Sequence, residues 1–122
     1  MENAEKIVII STVGPENPEK ATLPFVCATA AQSMDVEVTM ILQSNGVLIS
    51  KKGEADDIKA PGLMPLKDLL KTFLELEGKL LLCSPCIKER NISTDELVEG
   101  SELIAAGTVV SEVLSAKNVL TY

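Results

Sequence analysis

Histidine and tryptophan are absent from this chain, and arginine occurs once, as Arg90. Without imidazole, most constellations built on a histidine base or triad are closed. Aromatic side chains are confined to Phe25, Phe73 and Tyr122, so Leu, Ile, Val and Ala must fill the core. The longest apolar runs fall short of the roughly 20 residues that a membrane helix needs. Positive charge is scarce: 11 Lys and Arg stand against 18 Asp and Glu, a net charge of −7. Nucleic-acid binding needs a basic face, and here the lysines are scattered. Neither nucleic acid nor an anionic membrane is therefore an expected partner. A basic protein partner is permitted, although solubility alone accounts for the acidity. Residues 1–6 are polar and lead straight into a strand-like run, which is not the pattern of a secretory signal. The expectation is a cytoplasmic, soluble protein with a single domain over residues 1–122.

Nucleotide motifs are missing as well. Gly14-Pro15-Glu16-Asn17 after the first apolar run is not a dinucleotide fingerprint, and no Gly-Lys-Ser/Thr loop occurs. Glu54, Asp56 and Asp57 fit a solvated acidic loop better than a hard-cation site. No cofactor and no metal are expected.

What is present is an alternation of strand-like and helix-like segments. Residues 7–12 form a short continuous apolar run, the pattern of a strand covered on both faces. Asn17 and Pro18 then read as the cap and first residue of a helix reaching about residue 34. Its expected buried stripe is Leu23, Val26, Cys27, Ala30, Ala31 and Met34. Residues 36–42 read as a second strand, with a turn at Gln43-Ser44-Asn45-Gly46. Residues 47–52 fit a short helix or an extended segment equally well. The polar stretch 51–62 reads as a mobile surface loop. The clearest helix covers residues 65–76, with Leu66, Leu69, Leu70, Phe73 and Leu74 as its stripe and Gly78 as its stop. A third strand covers residues 79–82, and Ser84 and Pro85 read as cap and first residue of a short turn of helix. Ser93 with Glu96 makes a capping box, residues 102–106 a fourth strand, and Thr108 the start of a last helix. Residues 118–121 supply a final strand. This alternation implies a three-layer α/β/α sandwich.

The most informative stretch is Leu80-Leu81-Leu82-Cys83-Ser84-Pro85-Cys86. An apolar strand delivers two thiols to the mouth of a helix, at the strand end where parallel α/β proteins usually do their chemistry. Backbone N–H groups there favour a thiolate, the reactive form of cysteine, and Lys88 and Arg90 add positive charge. Cys83 is thus a candidate low-pKa nucleophile, and Cys86 can attack whatever forms on it. Cysteine also packs as a small apolar residue, so either thiol can be inert core. For Cys27, on an apolar stripe beside alanines, packing is the reading. Zinc wants four ligands, and one cysteine pair without histidine is too few unless subunits share a site. Cys-Ser-Pro-Cys also suits a redox dithiol, but the pair comes later than in thioredoxin-like chains.

Three stretches give the chain a further meaning. They are residues 7–31, the run from Val38 to Val47 with its Asn45-Gly46 turn, and residues 81–92. Together they resemble the DsrE/DsrF-like family, with its TusD-like sulfur-relay and small YchN-like branches. In that family a strand-end cysteine is followed seven residues later by arginine and then usually glycine. Cys83 and Arg90 match that spacing, while Asn91 stands where glycine is usual. Asparagine tolerates the left-handed conformation, so the departure is mild. Cys86 matches the YchN-like branch better than the TusD-like one.

The resemblance implies a parallel sheet of about five strands and assembly as a homotrimer or homohexamer. It implies a sulfur relay, with sulfane sulfur carried as a persulfide on Cys83 and exchanged with sulfur donor and acceptor proteins or small sulfur compounds. In that reading the chain is a sulfurtransferase or sulfur carrier. Cys86 resolves the persulfide, and Ser84, Asn45, Gly46 and Arg90 support the site, Arg90 by holding the loop rather than touching sulfur. Two alternatives remain open: a dithiol redox protein cycling a Cys83–Cys86 disulfide, and a non-catalytic oligomeric assembly or ligand-binding protein.

Overall fold

The structure, a computed structural model, describes residues 5–122. Residues 1–4, part of the stretch that argues against a secretory signal, lie outside the described residues. Five strands form one parallel sheet: β1 (Lys6–Ser11), β2 (Glu37–Leu42), β3 (Lys79–Cys83), β4 (Ser101–Ile104) and β5 (Asn118–Thr121). Their order across the sheet is β4-β3-β2-β1-β5. Alternate residues of each strand face opposite layers. Ile9, Val38, Met40, Leu42, Leu80 and Leu82 face one side, and Val8, Ile41, Leu81 and Ile104 the other. The first side carries α1 (Pro18–Ser33), α2 (Leu66–Glu75) and α3 (Ser84–Glu89). The second carries α4 (Ala106–Ser115) alone. The three-layer α/β/α expectation therefore holds.

Local sequence rules account for most boundaries. The Asn17 Oδ1 accepts the Lys20 N–H at 3.1 Å, and Pro18 opens α1 where its missing donor costs nothing. Leu66, Leu69, Leu70 and Phe73 are the buried stripe of α2. Ser93 and Glu96 do form a capping box, although the helix they start is a three-residue 3₁₀ turn, Thr94–Glu96.

The buried face of α1 differs from the expected one. Ala21, Thr22, Pro24, Phe25 and Ala28 are buried, whereas Leu23 and Met34 are exposed, Met34 by 74%. The helix is apolar around much of its circumference, so spacing alone allows more than one stripe. Small Ala21 and Ala28 flank Phe25 on the buried side. That ring meets Phe73 of α2 edge-on, with centroids 5.8 Å apart and planes at 89°. Val26, Cys27 and Ala31 border this core half-buried.

The segment between β2 and α2 also differs from a plain surface loop. Residues Ser44–Ser50 form a 3₁₀ helix that buries Val47, Ile49 and Ser50. A second 3₁₀ turn, Glu54–Asp57, buries Ala55, and Ile58 and Ala60 follow it into the core. The Leu66 N–H donates to the Ile58 carbonyl, tying the segment to the start of α2. Few apolar side chains sit here, but they are spaced to reach inward.

Candidate functional site

The candidate site is a dithiol at the carboxyl ends of the central strands. β3 delivers Cys83 as its last residue, in register with Ile104 of β4. The chain leaves β3 into α3 on one face and leaves β4 into α4 on the other, so Cys83 sits where the crossovers diverge. Cys83, rather than Ser84, takes the position before the first residue of α3, and Cys86 follows one turn later. Ser84 thus begins the helix instead of capping it. Cys83 stands at the end of the strand, as expected, and also takes the junction with the helix.

All three cysteines are free, and the Cys83 and Cys86 sulfurs are hydrogen-bonded at 2.6 Å. The turn after β2 closes over Cys86. The Ser44 backbone N–H donates to the Cys86 Sγ at 3.2 Å. Arg90, just beyond α3, donates from Nε and Nη2 to the Asn45 Oδ1 at 3.1 and 2.9 Å. Its Nη1 donates to the Cys86 carbonyl at 3.1 Å. Asn91 takes a left-handed φ of 55°, as its place in the motif implies.

Two glycines permit this geometry. A Cβ on Gly46 would lie 2.6 Å from the Ser11 carbonyl oxygen, and one on Gly14 would collide with the carbonyl of Asn45. The loop after β1 and the turn after β2 therefore touch backbone to backbone, an approach that a side chain at either position would block.

Cys83 does not have the low pKa expected of it. Burial pushes its thiol up from the ordinary value, and the Cys86 side chain adds to the rise. The Cys86 backbone N–H pulls the other way, and the Arg90 charge is the weakest of these influences. Lys88 is exposed on the last turn of α3.

Cys83, Cys86, Asn45, Gly46 and Arg90 thus come together from two stretches of chain, the turn after β2 and the continuous run from the end of β3 through α3. Cys27 lies apart from them on α1, half-buried at the core margin. The phenol of Tyr122 is raised by burial and then by its contact with that thiol. The Ser44 donor was not anticipated, because a main-chain N–H leaves no mark in the sequence. Among the described residues, no group of three or more His, Cys, Asp or Glu is placed to hold a metal ion. None of their helices is long and apolar enough to cross a membrane. A cavity of about 790 Å³ opens at the opposite ends of the strands, lined by Lys6, Gln32, Thr39 and Lys79, remote from the thiols.

A parallel α/β/α sandwich with a cysteine at the carboxyl end of an interior strand defines the class to which this chain is compared. The chain belongs to the DsrE/DsrF-like family, whose model matches residues 5–122; the family is related to sulfur-relay proteins. The uncharacterized protein MJ0989 of Methanocaldococcus jannaschii is 31% identical over 96% of this chain and 99% of its own length. MJ0760 of the same organism is 34% identical over 94% of this chain, which spans only 42% of that protein. Protein YchN of Escherichia coli is 26% identical over 97% of this chain and 99% of its own. The crystal structure of YchN superposes with a TM-score of 0.83 at 25% identity, covering 97% of this chain and 99% of that one. A protein of unknown function from Methanobacterium thermoautotrophicum, MTH1491, shares the fold alone, with a TM-score of 0.74 at 12% identity over 98% of this chain and 100% of that one.

Proposed function

We propose that this protein is a cytoplasmic sulfur carrier that takes up sulfane sulfur as a persulfide on Cys83. The observation that carries the reading is the Cys83–Cys86 pair, 2.6 Å apart at the carboxyl end of β3, in a family related to sulfur relay. The Cys83 thiolate attacks the outer sulfur of a donor persulfide, R–S–SH. The donor S–S bond breaks, R–S⁻ leaves, and Cys83–S–SH remains for transfer to an acceptor. A reducing cytoplasm keeps the two thiols available for this step. The raised Cys83 pKa makes uptake faster at alkaline pH, because only the thiolate attacks.

Incubation with polysulfide or a persulfidated carrier, followed by mass spectrometry, tests the reading. Cys83 is expected to gain one sulfur atom that a reductant removes. Equal gain by wild type and Cys83→Ser overturns it.

The closeness of the sulfurs also favours a second reading, a redox dithiol. That reading requires a reversible Cys83–Cys86 disulfide and fails if redox titration finds none. Assembly as a homotrimer or homohexamer is part of the proposal. It is supported by exposed Val110 and Leu114 on α4 and by Val119, Leu120 and Tyr122 at and beside β5. Sedimentation of the purified chain checks it.

A further inference from the structure

We propose that Arg90, acting through Asn45, is a positioning residue that holds the Ser44 N–H on the Cys86 sulfur and so makes Cys86 the resolving thiolate of the pair. The resolving role rests on the reading of Cys83 as the sulfur carrier; the positioning role does not.

The geometry is a clamp. One arm of the guanidinium holds the Cys86 carbonyl, and its other edge holds the Asn45 side chain with two hydrogen bonds. Asn45 is the neighbour of Ser44, so Arg90 sets the separation between the turn and α3, and with it the Ser44 N–Cys86 Sγ distance. Ser44 itself adopts φ +52°, an uncommon conformation for a residue with a side chain. Such a conformation persists only where the surroundings enforce it. Here the backbone contacts at Gly14 and Gly46 press on the turn from one side and Arg90 holds it from the other. The outcome is asymmetric, because the turn directs its amide to Cys86. An N–H aimed at sulfur favours the anion. Lysine could not replace this arginine, since only a planar fork serves both acceptors at once.

The chemical consequence is a defined exit for bound sulfur. The Cys86 thiolate attacks the inner sulfur of Cys83–S–SH. The bond from Cys83 to the outer sulfur breaks, HS⁻ leaves, and a Cys83–Cys86 disulfide forms. Two equivalents of a cellular thiol then reduce that disulfide and are themselves oxidised to a disulfide, restoring both cysteines.

The decisive experiment is the pH dependence of iodoacetamide alkylation of Cys86 in a Cys83→Ser background. Arg90→Ala and Asn45→Ala are each expected to raise the midpoint above that of the background, because each releases the turn that carries the amide. Arg90→Lys is expected to behave like Arg90→Ala. Unmoved midpoints in folded Arg90→Ala and Asn45→Ala overturn the positioning role. With Cys83 intact and loaded with polysulfide, Arg90→Ala should release sulfide at least about fivefold more slowly per loaded Cys83. Release from Cys86→Ser at the wild-type rate overturns the resolving role. Failure of Cys83 to load any sulfur overturns the carrier reading and the resolving role with it, and alkylation still decides the clamp.

Discussion

The two faces of the sheet are built by different means. On one, α1, α2 and α3 bury a continuous core that includes Phe25, Phe73, Met40, Leu80 and Ile87. On the other, Val8, Ile41, Leu81 and Ile104 lie beneath α4, in which no residue is buried. Charge takes a larger share of the work there. Glu112 of α4 reaches the strand N-termini, with its Oε1 2.7 Å from the Lys6 Nζ and its Oε2 3.0 Å from the Lys79 Nζ. Thr39 adds a hydrogen bond to the same carboxylate from β2. Both faces leave apolar residues turned outward, Leu23 and Met34 on α1 and Val110 and Leu114 on α4, but only the first buries residues of its helices. The site lies at the carboxyl end of β3, and both its thiols pack against the core of the first face.

Substitutions can break or sharpen that contrast. Phe73→Ala should cost the most, about 3–5 kcal/mol in chemical denaturation, because it opens a cavity between α1, α2 and the sheet. Ile41→Ala removes a comparable buried side chain on the second face and should cost about 2–4 kcal/mol. A cost far below this range would mean that α4 is easily displaced. Next comes Glu112→Gln. Burial works to raise the Glu112 carboxyl, but the hydrogen bonds from Lys6 and Lys79 outweigh it and hold it below the ordinary glutamate value. Its stabilisation is therefore present above the unfolded-state value and lost as pH falls through the lower folded value. Thermal midpoints of wild type and Glu112→Gln should differ near neutrality and converge in acid. Leu114→Ser should change monomer stability least, by under about 0.5 kcal/mol, since Leu114 is 80% exposed. The same substitution should weaken self-association in sedimentation if α4 lies in a subunit contact.

Legibility in the sequence follows the same division. The first three strands and α2 could be read directly, because each shows a single period or an uninterrupted apolar run; β4 instead ends at Ile104 and α4 begins at Ala106, ahead of the expected Thr108, because nothing in the small residues 105–107 marks the boundary. In α1 the apolar residues surround the helix, and choosing Phe25 over Leu23 as the inward side chain needs the sheet in place. Ala55, Ile58 and Ala60 were hidden among charged neighbours, so their segment read as solvated. At the site, Cys83, Cys86, Arg90, Asn45 and Gly46 were visible as residue types in a motif. The raised pKa of Cys83 was not, since it comes from burial by distant segments. Nor was the Ser44 amide, which any residue could supply; what singles it out is the clamp that aims it.

The pairing of β1 with β5 has a consequence for biosynthesis. Of the five described strands, the one made first lies next to the one made last, and Thr12 bonds to the Tyr122 carbonyl across 110 residues of chain. During translation, β1 can pair with β2 while its other edge stays open. That edge, with Ile7, Val8, Ile9 and Ile10, is a ready template for a neighbouring nascent chain until β5 arrives. Slow synthesis or truncation ahead of residue 118 should therefore yield aggregates rather than a smaller folded domain.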